Sequence, residues 1–399
     1  MNTRFLFLIL MISLAACRET NDQMGDPPLP VPLGEDNTPP PSKTEIAGII
    51  RSVNDYWQSV NTQGDASWNQ AVFHTGNLAA YDVTIEDRYK QYSINWAEKN
   101  HWEGATSNDK SDWIYHAGIK GNNVLFGDWQ ACFQVYIDLY NLDADEKKVA
   151  RAKEVMGYQV NTSNNDYWWW VDALYMAMPV MTRMYKLTND IKYLDKMYVY
   201  FKYTKDLLYD SNDGLFYRDN NYLFPKHKTI SGLKDFWSRG NGWAFAALAR
   251  VLQDLPDNNP YRDEYIQVYK DMAKTLAVFQ QKEGYWTRSL LDPDQSVGYE
   301  TSGTAFFIYG FLWGVNNGIL DESYVPVINR GWKYLANIAL QEDGKIGYVQ
   351  PGGANAIHGQ ILDQNSTADF GVGAFLLAAS EMYKFSQNYY EKLETDSNK

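Results

Sequence analysis

Three tryptophans in a row lead directly into a carboxylate. The stretch Tyr167-Trp168-Trp169-Trp170-Val171-Asp172-Ala173-Leu174-Tyr175-Met176-Ala177-Met178-Pro179 surrounds Asp172 with aromatic and apolar residues. Read as a helix, it puts Trp168, Asp172, Tyr175, Met176 and Pro179 on one face. A carboxyl in such a stripe loses hydration, its pKa rises, and it can hold a proton near neutral pH, as a general acid must. The same pattern also suits a buried Asp satisfied by a backbone group or a Tyr hydroxyl. A second carboxylate, Asp128, follows Phe126-Gly127 and precedes Trp129-Gln130 and a helical run through Gln134 and Tyr136. An Asp there can also be a plain N-cap.

A cation and an indole recur together in Phe236-Trp237-Ser238-Arg239-Gly240-Asn241-Gly242-Trp243. Gly240 and Gly242 flank Asn241 and allow backbone conformations closed to other residues. The chain then turns helical, with Trp243, Ala247, Arg250 and Val251 on one face. An Arg fork and an indole plane held at a helix N-terminus suit a carboxylate-bearing sugar ring, the Arg pairing bidentately and the Trp stacking. A glycine-rich start to a helix whose Trp is core fits these residues equally well.

These groups need a scaffold, and the chain can supply one. Its 399 residues are 45% hydrophobic and 21% charged, enough for a large core. The 14 Trp, 30 Tyr and 17 Phe fit a carbohydrate-active protein, whose aromatic faces stack on sugars, although large helical cores consume aromatics too. A net charge of −13 argues against nucleic-acid binding and requires any anionic substrate to be drawn by a local basic site.

Residues 1–17 read as an export signal: Arg4, the apolar run Phe5 to Leu14, then Leu14-Ala15-Ala16-Cys17, a lipobox that predicts lipid attachment at Cys17. Anchoring to the bacterial cell envelope, in the periplasm or on the outer membrane, is expected through that lipid alone. Residues 18–43 hold seven of the 14 prolines and read as an extended tether. Cys132 is the second of two cysteines, which leaves no disulfide once Cys17 is lipidated.

From 44 to about 390 the pattern is helical, with a polar tail expected over 391–399. One unit recurs: an apolar helix ending in Tyr, a short polar turn, then a second helix rich in Tyr and Lys. Copies lie at 78–84, 136–142, 184–190, 252–256, 313–320 and 382–388. Six such hairpins closing on themselves predict an all-α (α/α)6 barrel, and the loops between hairpins would carry the chemistry. No cofactor is expected: the five histidines, His74, His101, His116, His227 and His358, lack paired ligand spacing, and no phosphate loop or dinucleotide fingerprint appears.

Four stretches in order, Trp169 to Pro179, Trp237 to Trp243, Glu300 to Gly310 and Gly371 to Glu381, resemble the unsaturated rhamnogalacturonyl hydrolases of glycoside hydrolase family 105 and, more distantly, the unsaturated glucuronyl hydrolases of family 88. The likeness spans about Trp68 to Tyr383. It implies an (α/α)6 barrel and a substrate that a polysaccharide lyase leaves behind, an oligosaccharide with a 4,5-unsaturated uronate at its non-reducing end, of rhamnogalacturonan type or related such as ulvan. It implies hydration of the enol ether, with Asp172 as principal acid/base and Asp128 as partner carboxylate. Arg239 and Trp243 match residues that line the site for the unsaturated uronate, and Trp68 falls near an aromatic that stacks on the sugar; Trp129, Arg218 and Asn241 are further candidate substrate contacts. Two departures stand out: Arg218 follows Gly214-Leu215-Phe216-Tyr217 where many members have His, and Asp128 stands alone where members often have a doubled Asp. An Arg in place of a cleft His favours more anionic substrates if it faces the cleft. A monomer or weak dimer is expected. A conventional inverting glycosidase using the same two acids, or a non-catalytic glycan-binding lipoprotein, is the other reading of these residues.

Overall fold

The computed structural model describes residues 36–118 and 121–397. The expected signal, Cys17 and most of the tether lie outside the described residues. Twelve helices account for the chain among these residues: α1 (Lys43–Val60), α2 (Trp68–Thr84), α3 (Asp87–Lys99), α4 (Cys132–Leu142), α5 (Ala150–Val160), α6 (Ala173–Thr188), α7 (Lys192–Leu208), α8 (Ser238–Asp254), α9 (Arg262–Phe279), α10 (Thr301–Asn316), α11 (Val325–Tyr334) and α12 (Asp369–Ser397).

The even-numbered helices form an inner ring. Each packs on the next, α2 on α4, then α6, α8, α10 and α12, and α12 closes the ring on α2. Their sequences show why. α10 is buried from Thr301 through Gly314 and α8 from Ser238 through Leu252, as expected of helices apolar on nearly every face. The outer helices carry a single apolar stripe; in α9 it is Tyr265, Val268, Tyr269, Met272, Ala273 and Leu276, spaced by threes and fours. This is the (α/α)6 barrel.

Five of the six expected turns fall where an inner helix ends and its outer partner begins. The sixth, at 382–388, does not: α12 runs through it to Ser397, taking in most of the polar tail as well. No turn is needed there because the outer position beside α12 is filled by α1 from the other end of the chain. The last residues of the expected tether are docked, not extended. Asn329 of α11 donates to the carbonyls of Asp36 and Thr38 at 2.8 Å, and Tyr390 of α12 donates to Pro40 O at 2.9 Å. Ser42 then starts α1 through a reciprocal capping box with Glu45.

The inner-to-outer turns are short, and so is the 61–67 link from α1 to α2, whereas the other five outer-to-inner connections are long: 100–131, 161–172, 209–237, 280–300 and 340–368. All of the latter enter the N-terminal ends of inner helices, so they gather at one end of the barrel. One carries a small hairpin, β1 (Tyr209–Asp210) with β2 (Leu215–Phe216), antiparallel and turned at Gly214 with φ +66°. That hairpin delivers Arg218.

Candidate active site

Two of the long loops are stitched together at the acid. Trp170 and Asp219 form an antiparallel bridge, and Val171 N donates to Arg218 O at 2.9 Å. Asp172 therefore stands at the first turn of α6 with Arg218 beside it. The expected helical stripe through Trp168 is not formed. The helix begins at Ala173, and Trp168 to Trp170 run into it as extended chain. The bridge to Asp219 competes successfully for the backbone groups that a helix would use. The apolar surroundings arise instead from across the loop: Trp170 is 2% exposed and stacks on Phe126 at 4.5 Å.

Asp172 is 8% exposed, and its Oδ2 lies 3.4 Å from Arg218 Nε without a hydrogen bond at either atom. Burial pushes its carboxyl above the usual range, and the charges of Arg218 and Arg239 offset part of that rise. Arg218 also bonds Asp219, which is 3% exposed and takes the Asn221 amide at 2.7 Å.

Asp128 sits in the single 3-10 turn Gly127–Trp129, and the residue at the start of α4 is Ala131, so it is not that helix's N-cap. The turn is pressed against α6: a Cβ added at Gly127 would lie 3.4 Å from Met176 Cβ and 3.5 Å from the Trp170 ring. Its carboxyl is pushed up to about 8, first by burial and then by the charge of Asp172, with Arg218 opposing. Burial thus raises both carboxyls, and the charge on Asp172 adds to the rise at Asp128, which favours the protonated form of each. Such a pair can deliver a proton and take one back from water.

The other expected contacts separate into two groups. Trp68 and Trp129 are partly exposed at the same end of the barrel. Trp68 rests on Phe370 at 5.1 Å and edge-on to Trp243 at 6.1 Å; Trp129 donates its indole N–H to Gly118 O at 3.1 Å. Both keep part of their surface open to solvent. Trp243 does not: it is 1% exposed and packs on Phe306 at 4.4 Å and Tyr175 at 5.0 Å, which makes it core beneath Trp68.

Arg239 presents no open fork. It is 1% exposed, and its terminal nitrogens donate to Gln350 O at 2.6 Å and Pro351 O at 2.8 Å. The guanidinium lies between the rings of Trp237 and Phe370, at 4.6 and 4.7 Å. Burial draws its pKa down to about 10 against the charges of Glu300 and Asp172. Asn241 is likewise spent. Its side chain accepts from Phe216 N at 2.8 Å and donates to Phe216 O at 3.0 Å, pinning the strand that precedes Arg218. Gly240 and Gly242 are inside helix α8 with ordinary dihedrals; the glycines serve close packing, since a Cβ on Gly242 would meet Phe306 Cβ at 3.1 Å.

Glu300 and Gln350 join this network although no local pattern marks either for it. Glu300 caps α10, accepting from Ser302 N at 2.9 Å and Gly303 N at 2.7 Å, and also takes Gln350 N at 3.2 Å. Gln350 accepts the Trp237 indole N–H at 2.8 Å. Together with Arg239 they hold the 340–368 loop in place. The run Glu300-Thr301-Ser302-Gly303 carries a capping signal, but nothing local in the sequence foretells its link to residue 350.

The sequence profile of Glycosyl Hydrolase Family 88 matches residues 43–386, nearly the whole described fold. The chain belongs to that family. It is the second of the two families its motifs resemble. Among relatives of this family 88 chain, the unsaturated 3S-rhamnoglycuronyl hydrolase of Formosa agariphila is 34% identical over 332 residues, covering 80% of this chain and 85% of that one. A solved structure of a family 88 glycosyl hydrolase from Bacteroides vulgatus is 55% identical with a TM-score of 0.85, covering 86% of this chain and 100% of its own. Another solved structure, 54% identical with a TM-score of 0.85 and covering 86% of this chain and 98% of its own, is described as a polysaccharide lyase. A lyase and a hydrolase differ in chemistry, and family 88 membership here rests on the profile match. The family 88 barrel thus carries Asp172 and Asp128 on its loop-bearing end, walled by Trp170 and Phe126, with Arg218 beside Asp172.

Proposed function

We propose that this glycoside hydrolase removes the 4,5-unsaturated uronate from the non-reducing end of lyase-generated oligosaccharides by hydrating its enol ether. The observation that carries the reading is the pair of carboxyls Asp172 and Asp128, both raised by burial, with the Arg218 guanidinium 3.4 Å from Asp172. An enol ether needs a strong proton donor next to a water site and a cation for its conjugated carboxylate, and these three side chains are of those kinds. Asp172 donates its proton to C4, and the positive charge that develops at C5 is shared with the ring oxygen. Water adds at C5 and loses its proton to the carboxylate pair. The C5 hemiketal opens to a ketone, and the hemiacetal left at C1 expels the aglycone as an alcohol. Trp68 and Trp129 supply ring faces for the sugar. The rhamnoglycuronyl substrate in the name of the Formosa agariphila relative supports rhamnose as the adjacent sugar.

Loss of the enol-ether absorbance on adding lyase-digested pectin or ulvan is the test. Asp172→Asn is expected to abolish that loss while the protein keeps its unfolding midpoint. A variant that retains most of its activity would remove Asp172 from the acid's role. Hydrolysis of saturated oligosaccharides instead would point to a conventional inverting glycosidase.

The lipobox supports tethering of the enzyme to the cell envelope through Cys17. Fatty-acid labelling that persists in Cys17→Ser would overturn that part of the reading.

A further inference from the structure

A second aromatic cavity opens where α5 meets the long 100–131 loop, away from the acids. It holds about 820 Å³, and Trp113, Tyr115 and Tyr158 line it. Lys110 and Lys153 stand on its lining with the exposed Asn164. The walls are held ready. Arg151 of α5 donates to Ala105 O at 2.9 Å and Ser107 O at 2.6 Å and lies 5.2 Å from the Trp113 ring centroid. Trp113 meets Tyr158 edge-on at 5.1 Å.

The cavity is not isolated from the acid pair. Tyr115 also lines a smaller cavity of about 320 Å³ together with His116, Asp166 and Trp169. Trp169 packs on Trp170 at 4.8 Å, and Trp170 is the ring that covers the Gly127-Asp128 turn. Trp129, next to Asp128, donates to Gly118, two residues after His116. Partly exposed aromatics therefore mark a route from Asp128 outward through Trp129, Trp169 and Tyr115 to the large cavity.

We infer that this cavity is a distal saccharide subsite that takes acidic sugar residues on the reducing side of the same oligosaccharide whose non-reducing end is processed at Asp172. The inference rests on the hydrolase reading above. Ring faces and an amide suit the C–H and O–H groups of a sugar. The lining carries two lysines against one carboxylate, Glu154, so in a chain whose net charge is −13 it offers the local positive field that an anionic residue requires. Lys110 is bridged to Glu154 at 3.4 Å and Lys153 to Glu146 at 2.7 Å, and both lysines keep solvent exposure, so an incoming uronate or sulfate competes with side-chain partners only.

The test is a length series of unsaturated oligosaccharides, from disaccharide to hexasaccharide, on the full chain. The wild type is expected to show a KM about tenfold lower for the longest than for the disaccharide, the effect of one or two sugar contacts. Tyr158→Ala and, independently, the surface change Lys110→Ala should each remove most of that gain and leave disaccharide turnover unchanged. Added salt should erode the gain as well. Equal KM values along the series, or a gain that survives both variants, would overturn the subsite while leaving the hydrolase reading intact. If no unsaturated product is turned over, the hydrolase reading fails. The subsite is then read from the quenching of Trp fluorescence by saturated acidic oligosaccharides, and a response identical in wild type and Lys110→Ala rejects it.

Discussion

Arg218 Nε faces Asp172 Oδ2 across 3.4 Å, and neither atom has a hydrogen-bond partner in the protein. A carboxyl and a cation are thus brought together without a hydrogen bond between them, although Arg218 has a full bond to Asp219 on its other side. A buried polar group left without its partner is costly in a stable core and useful in a site, because the carboxylate of an incoming uronate can take the free guanidinium N–H.

Arg218→Gln should therefore act on both binding and proton affinity. The guanidinium holds the carboxyls of Asp172 and Asp128 below where burial alone would put them, so removing it raises both. An acid stays protonated to higher pH when its pKa rises, so the alkaline limb of the kcat profile should move up. KM for the unsaturated uronate should rise roughly tenfold or more, as expected when a charged contact is lost. An unmoved limb in pH–rate profiles would place Arg218 outside the site.

Asp128 makes a prediction about stability. Its folded pKa, about 8, lies above the value of about 4 for an unfolded chain. The folded state thus binds the extra proton, and the stability this contributes is present below about pH 4 and lost as pH rises through about 8. Asp128→Asn removes the titration. Denaturant unfolding should show the variant gaining on the wild type as pH rises from about 4 to about 8 and levelling off above that, while its activity falls.

Arg239 is expected to behave as a structural residue. Arg239→Ala strands the carbonyls of Gln350 and Pro351 and empties the space between Trp237 and Phe370. A loss of about 3 kcal/mol follows from the unpaired groups and the cavity. Thermal unfolding should record it even without substrate. A variant as stable as the wild type but with a raised KM would return Arg239 to the role of substrate clamp.

Asn241→Ala tests how Arg218 is held. The change unties both backbone groups of Phe216, two residues before the cation, inside a buried strand. About 2 kcal/mol of stability should be lost, together with a disproportionate fall in kcat/KM relative to Asn221→Ala, which keeps the strand tied.

The scaffold is the part of this protein that was legible along the chain. Alternating buried and striped helices are written in local periodicity, so the barrel and five of its six turns could be read from neighbours along the chain. Asp172 and Asp128 stood out as candidates because of the residues next to them in sequence, although the apolar wall beside Asp172 comes from Phe126 across the loop and not from a helical stripe. Which side chains remain free depends on the folded chain. Arg239, Asn241 and Trp243 have the types of a sugar site, but their partners, Gln350, Phe216 and Phe306, come from other loops and helices. A side chain's exposure is set by what distant segments place against it, and no local pattern encodes that. The same holds for the turn at 382–388, which α1 made unnecessary by packing on α12 from the far end of the chain. Arg218 is the converse case, an isolated departure in sequence that a bridge between two loops carried to within 3.4 Å of the acid.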